Sequence, residues 1–312
     1  MLFSAESSLS AAQSALEARV HALLPARYQC RLDSVSPTSM GSASLKYAAD
    51  GSIAWGEIWT HYCELALAGG PPHRGTWLDA PEPEALADDP ANLQIVAHEI
   101  CRGINLASDL TAVASSEPGW VAVLCPTEGM ARWMHRAVVA ENVFARRAGE
   151  HLLVPAGPNF RPAKEVKNVV VALSKTSHYW VDHFREDERT ATSEILAAND
   201  VHLLGPLLPA ERLVHLNEVT RANEEVAHQI GPATALPARP ASVAGWVEVG
   251  LDNEQTAAWF TRGIIALDVL ARREEQRLYL PVVLGAERIT ALVGRLAQLV
   301  QVWRFTQEQH QA

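Results

Sequence analysis

The sequence predicts an α+β protein built from tandem duplicated β-α-β-β-α modules behind an N-terminal α/β region. Three observations carry this reading. One stretch of the chain recurs at a constant offset, tryptophans recur at matching places within it, and strand-period and helix-period segments alternate in each copy.

Residues 119–155 read GWVAVLCPTEGMARWMHRAVVAENVFARRAGEHLLVP. Residues 245–281 read GWVEVGLDNEQTAAWFTRGIIALDVLARREEQRLYLP. The offset is 126 with no gap, and the identical pairs include Gly119/Gly245, Trp120/Trp246, Trp133/Trp259, Arg136/Arg262 and Pro155/Pro281. All told, 15 positions are identical. Ordinary composition gives about two matches in such a window. Beyond the proline the second copy is three residues shorter, and Trp180 then aligns with Trp303. Three such pairs use six of the nine tryptophans. Loss of a buried Trp is costly, so matched tryptophans imply matched packing.

Ahead of the repeat, residues 8–24 have the pattern of an amphipathic helix. Residues 34–55 are turn-rich, with an irregular hairpin expected around Asp50-Gly51. A helix from about Trp55 to Ala68 is stopped by GGPPHRG, GTWLDA is a short strand, DAPEPEALADDP is an acidic connection, and ANLQIVAHEICRGINLAS is a helix. This helix–strand–helix order leaves open a divergent third copy of the module.

Within each copy, GWVAV and GWVEV alternate as half-buried strands do. Thr127 and Asn253 are candidate caps of the helix that follows. FARRAGEHLLVP and LARREEQRLYLP read as a hairpin. The next segment, KEVKNVVVALSKTSHYW, has a valine run that suits strand or helix. Its counterpart resolves the ambiguity, because Ile289, Leu292, Val293, Leu296, Val300 and Trp303 keep helical spacing. Residues 230–243, IGPATALPARPASV, read as a linker. The expected divisions are therefore an N-terminal α/β region (1–115), a first module (116–185), a connecting helical segment and linker (186–243) and a second module (244–312).

Composition narrows the function. The 312-residue chain carries a net charge of −10 with no cluster of Lys and Arg, which argues against nucleic acid as a partner. Cys30, Cys63, Cys101 and Cys125 form no close metal-type pair, so no zinc or iron–sulfur motif is expected. The N-terminus lacks the basic-then-apolar pattern of a secretory signal, and no apolar run approaches the roughly 20 residues a bilayer requires. The expectation is a cytoplasmic protein away from membranes. No nucleotide, kinase, hydrolase or metalloprotease motif is present, and no cofactor is indicated.

Differences between the copies mark candidate chemistry. Glu141 falls on the apolar side of its helix, roughly 220° from Glu128 at 100° per residue, and Leu267 takes its place in the second copy. A desolvated carboxylate suits a general acid or base, and Glu141 is the catalytic candidate. The alternative is a helix end that lets Glu141 reach solvent or an arginine. Arg161, Lys164 and Lys167 gather cations near a helix start in the first copy alone, which suits a carboxylate or phosphate; a solvated basic face is the alternative. His73 and Arg74 in GGPPHRG are further ligand-binding candidates, against a plain helix stop. His178 and His183 in SHYWVDH are five apart, where same-face helical ligands are three or four apart, so no metal site is expected and a His178–Asp182 pair is. Lys175 falls on that polar face too. The backbone amides of SPTSMGSAS offer a weaker anion cradle.

Two functions fit. One is an intracellular protein that binds or converts a small anionic metabolite where the N-terminal region meets the first module. The other is a non-catalytic binding or assembly subunit, a homo-oligomer included, whose paired tryptophans anchor an interface.

Overall fold

A computed structural model of the chain describes residues 2–29, 44–61, 65–70, 72–73 and 77–311. It is mixed helix and sheet, with two four-stranded antiparallel sheets. Helices α1 (Leu2–Ala22) and α2 (Ala26–Gln29) come first, then two 3₁₀ turns, Trp55–His61 and Ala66–Ala68. Next come α3 (Pro83–Asp88), α4 (Pro90–Ala107), β1 (Thr111–Ala114), β2 (Trp120–Leu124), α5 (Glu128–Ala140), β3 (Arg146–Ala148) and β4 (His151–Pro155). Helix α6 (Lys167–His178) lies between two π turns, Pro162–Val166 and Tyr179–His183, and α7 (Glu186–Asn199) follows. The remainder is α8 (Pro209–Val214), α9 (Leu216–Thr234), β5 (Ala238–Pro240), β6 (Trp246–Gly250), α10 (Glu254–Ala266), β7 (Arg272–Glu274), β8 (Arg277–Pro281) and α11 (Ala286–Gln311).

The chain forms two compact units. One comprises Ser36–Ala198 with Leu208–Ala210; the other comprises Met1–Val35, Asn199–Leu207 and Glu211–Ala312. The first holds the sheet β1-β2-β4-β3 and the second the sheet β5-β6-β8-β7. In the first, Trp120 pairs with Pro155 and Val121 with Val154; in the second, Trp246 pairs with Pro281 and Val247 with Leu280. A guanidinium lies over the leading tryptophan of each sheet, Arg146 4.4 Å above Trp120 and Arg272 4.7 Å above Trp246.

Local chemistry explains the elements that carry the site. Thr127 accepts from the Met130 N–H at 3.2 Å and Asn253 accepts from Thr256 at 2.8 Å, which caps α5 and α10 as expected. Both helices stop the same way, because Asn142 and Asp268 take positive φ, 66° and 60°. Asn and Asp tolerate that region better than other non-glycine residues. The chain then makes one parallel bridge in each unit, Leu78 with Val143 and Leu204 with Val269.

Several expectations change. Among the described residues, GTWLDA contributes only the bridge at Leu78, and the expected helix from Trp55 shows two 3₁₀ turns. The acidic connection contains α3, which starts on Pro83. Residues 230–243 are no simple linker: α9 continues to Thr234 with Pro232 inside it, and Ala238–Pro240 is strand β5. Each sheet thus takes an edge strand from ahead of the recurring stretch, with a helix before it. Helix α4 buries Leu93, Val96, Ile100 and Ile104; α9 buries Val219, Ala222, Val226 and Ile230.

The other two tryptophan pairs differ in how far they are covered. Trp133 and Trp180 are buried, 5.5 Å apart, and Phe184 closes on Trp133 at 5.3 Å. Trp259 and Trp303 stack at 4.8 Å yet stay partly exposed. A Cβ on Gly129 would sit 2.0 Å from Ser193 Oγ, so glycine in the first turn of α5 is what lets α7 lie against it. The matching position in α10 is Gln255. Gly103 works similarly in α4, where a Cβ would meet Val170 of α6 at 2.5 Å.

Candidate functional site

Helix α6 is buried on nearly every side, since Val166, Val169, Val170, Ala172, Leu173, Ser174, Thr176 and Ser177 are all covered. A helix covered all round is a core element. Lys175, in its last turn, therefore has no route to solvent and is only 1% exposed. The expected polar-face position for Lys175 is thus corrected.

Glu141 lies at the end of α5 and is fully buried. Its Oε2 accepts from Lys175 Nζ at 2.7 Å, and its Oε1 accepts from the Ala66 N–H at 2.7 Å. The carboxylate thus ties α5, α6 and the second 3₁₀ turn together. Removing two charges from water is costly, and mutual attraction repays this only with good geometry and further hydrogen bonds. The Ala66 amide supplies one.

The loop after that turn runs over the same place. Asn142 Nδ2 donates to the His73 carbonyl at 3.3 Å, which fixes the loop to the positive-φ residue at the end of α5. The His73 Nε2 atom is buried and has no hydrogen-bond partner. Burial, followed by the charges of Lys175 and Lys167, lowers the His73 pKa from 6.5 to about 3. Its ring is neutral at ordinary pH, with a polar atom that meets no hydrogen-bonding group among the described residues.

This depression has a thermodynamic consequence. The unfolded chain protonates His73 near pH 6.5 while the folded chain does not, so stability falls as pH drops from about 6.5 toward 3. Each pH unit in that window contributes up to about 1.4 kcal/mol. At pH 5 the His73→Gln variant should therefore recover about 2 kcal/mol relative to its own pH 7 difference from the parent, read by urea unfolding at both pH values. Equal pH slopes for the two proteins would remove the buried neutral imidazole from the account.

The other candidates lie elsewhere. Arg161 is exposed, and its guanidinium grips Glu165 at 2.6 and 3.1 Å. Burial would raise the Glu165 pKa, but the Arg161 side chain and N–H hold it at about 2. Arg161 borders a groove of about 850 Å³ with Asn92, His98, Glu99 and Phe160. Lys164 is exposed, whereas Lys167 is half-buried and near enough to act on His73. Arg74 lies outside the described residues, as does nearly all of SPTSMGSAS. Glu141, His73 and Lys167 are thus brought to one region; Arg161 is not shown with them. Lys175 was missed, although one of only four lysines in the chain sits inside the apolar circumference of α6.

Cys101 and Cys125 are buried thiols, with pKa values pushed by burial to about 11 and about 12. Such thiols are inert as nucleophiles. No helix among the described residues is long and apolar enough to cross a membrane. No known family model, curated protein or solved structure matches the chain.

Proposed function

We propose that the protein is an intracellular binder, or converter, of a small anionic metabolite, held in the first unit beside His73. The observation that carries this reading is the His73 Nε2 atom, buried without a partner in the field of Lys175 and Lys167. Buried polar atoms are nearly always satisfied, and an orphan calls for a water, an ion or a ligand. With its proton on Nε2, the neutral ring turns a donor toward an anion, and Lys167 adds charge. Glu141, our catalytic candidate from sequence, has its role here in holding Lys175 in place.

We further propose that the two units descend from one duplicated ancestor, longer than the recurring stretch of sequence. Equal strand order, matched registers, the paired bridges at Leu78 and Leu204 and the equivalent helices α4 and α9 support this. On that view only the first descendant carries the charged centre, because the counterpart of Glu141 is Leu267.

Thermal unfolding of the full chain against inorganic phosphate and short mono- and dicarboxylates tests the binding reading. A true ligand at 100 times its Kd adds about 2.7 kcal/mol, which raises Tm by roughly 5–10 °C for a unit of this size. His73→Gln and Lys167→Gln should each abolish the shift. A flat panel, or a shift that survives both substitutions, overturns the proposal.

The alternative of a non-catalytic assembly subunit is favoured by Leu213, Val214 and Leu216, which are 47%, 78% and 59% exposed. Adjacent exposed apolar side chains are typical of contact surfaces. Sedimentation at increasing concentration decides whether the chain self-associates there; Leu216→Glu should then shift it to monomer.

A further inference from the structure

His178 and His183 are five residues apart, and an α-helix would point them about 140° from each other. The chain is not α-helical there. Tyr179–His183 is a π turn, closed by the Phe184 N–H donating to the Tyr179 carbonyl at 3.3 Å. A π turn relates residues i and i+5, and such turns recur at functional sites. The two imidazoles consequently meet edge to face, with centroids 4.9 Å apart and the Nε2 atoms 3.2 Å apart. On its other side, His178 Nδ1 donates to Asp182 Oδ2 at 2.6 Å. That bond fixes the tautomer, so the His178 Nε2 lone pair faces His183.

We propose that His178 and His183 form a two-histidine site for a divalent transition-metal ion of the zinc class. Two Zn–N bonds of 2.0–2.1 Å at a tetrahedral angle place their nitrogens about 3.3 Å apart. The separation in the protein, 3.2 Å, is already close to this. Asp182 is the orienting carboxylate that metal-bound histidines characteristically have behind them. When the ion binds, His183 carries its ring proton on Nδ1 and offers Nε2. His178 and Asp182 also border an open hollow of about 280 Å³, lined by Asp109, Ser174 and Ser177. Among the described residues no group of three or more ligating side chains could hold a metal. The ion would therefore take two bonds from the protein and complete its shell with water or an exogenous ligand, which makes the site exchangeable and not structural.

The test uses the full chain stripped with a chelator and titrated calorimetrically with Zn²⁺, with Co²⁺ as a spectroscopic probe. One equivalent of Zn²⁺ should bind at the pair, and Co²⁺ should develop the visible bands of nitrogen ligation. His178→Gln and His183→Gln should each abolish the site, Asp182→Asn should weaken it about 10-fold, and His151→Gln should leave it unchanged. These side chains are partly exposed, and circular dichroism confirms that each variant is folded. Failure of the parent chain to take up Zn²⁺ at sub-millimolar free metal overturns the proposal. So does uptake that His183→Gln leaves intact. Neither outcome touches the His73 reading, which concerns different residues.

Discussion

Lys175→Met should lower the stability of the first unit by about 3–5 kcal/mol, the usual consequence of removing one partner from a buried ion pair. Met matches the length of the lysine stem, so little packing is lost. What remains is the Glu141 carboxylate, fully buried and still accepting from the Ala66 amide. Glu141→Leu alone should also be damaging, because it removes the carboxylate that the buried ammonium group donates to. The double variant should return to within about 1–2 kcal/mol of the parent, since apolar replacement of both charges is often neutral or favourable. The same chain offers a comparison, since Leu267 ends α10 as Glu141 ends α5 and is buried. Urea unfolding of the four proteins gives the coupling energy directly. A Lys175→Met variant within 1 kcal/mol of the parent would mean that the pair does not hold α5 to α6. If the double variant is stable but has lost any anion-dependent stabilisation, the charges are present for binding and not for the fold.

Trp133→Ala should cost about 3–5 kcal/mol, at the upper end for a core aromatic. The ring is fully buried with Trp180 and Phe184 against it, and its loss leaves a cavity. Trp259→Ala in the second unit should cost about half as much or less, because burial scales the loss and Trp259 is already partly in contact with water. Intrinsic fluorescence and calorimetry of the two variants separate the units. Equal losses would show that Trp259 is covered in solution.

The contrast between those two tryptophans shows where sequence reading stops. The pairing of Trp133 with Trp259 was legible, along with strands β2 and β6, the caps Thr127 and Asn253 and both hairpins. These depend on alternation, helical period and capping, which act over a few residues. The resolution of the valine run into α6 was legible too, because the stretch aligned with it, residues 289–303, has an unambiguous helical pattern. The packing of α7 against the start of α5 was not, since it turns on Gly129 meeting Ser193 from a distant part of the chain. Edge strands β1 and β5 are only four and three residues long and carry little alternation of their own.

The candidate site divides in the same way. Glu141 stood out because helical projection put a carboxylate among apolar neighbours. Its partner Lys175 lies 34 residues away, and the Ala66 amide 75 away, so no local rule could join them. His178 and His183 were set aside on α-helical spacing, and it is the π turn that brings them together. Short-range order is written in the chain because neighbouring residues share one backbone geometry. Which buried charge meets which, and where a helix loosens by one residue, is settled by close packing among segments remote in sequence, where every polar group taken from water must find a partner.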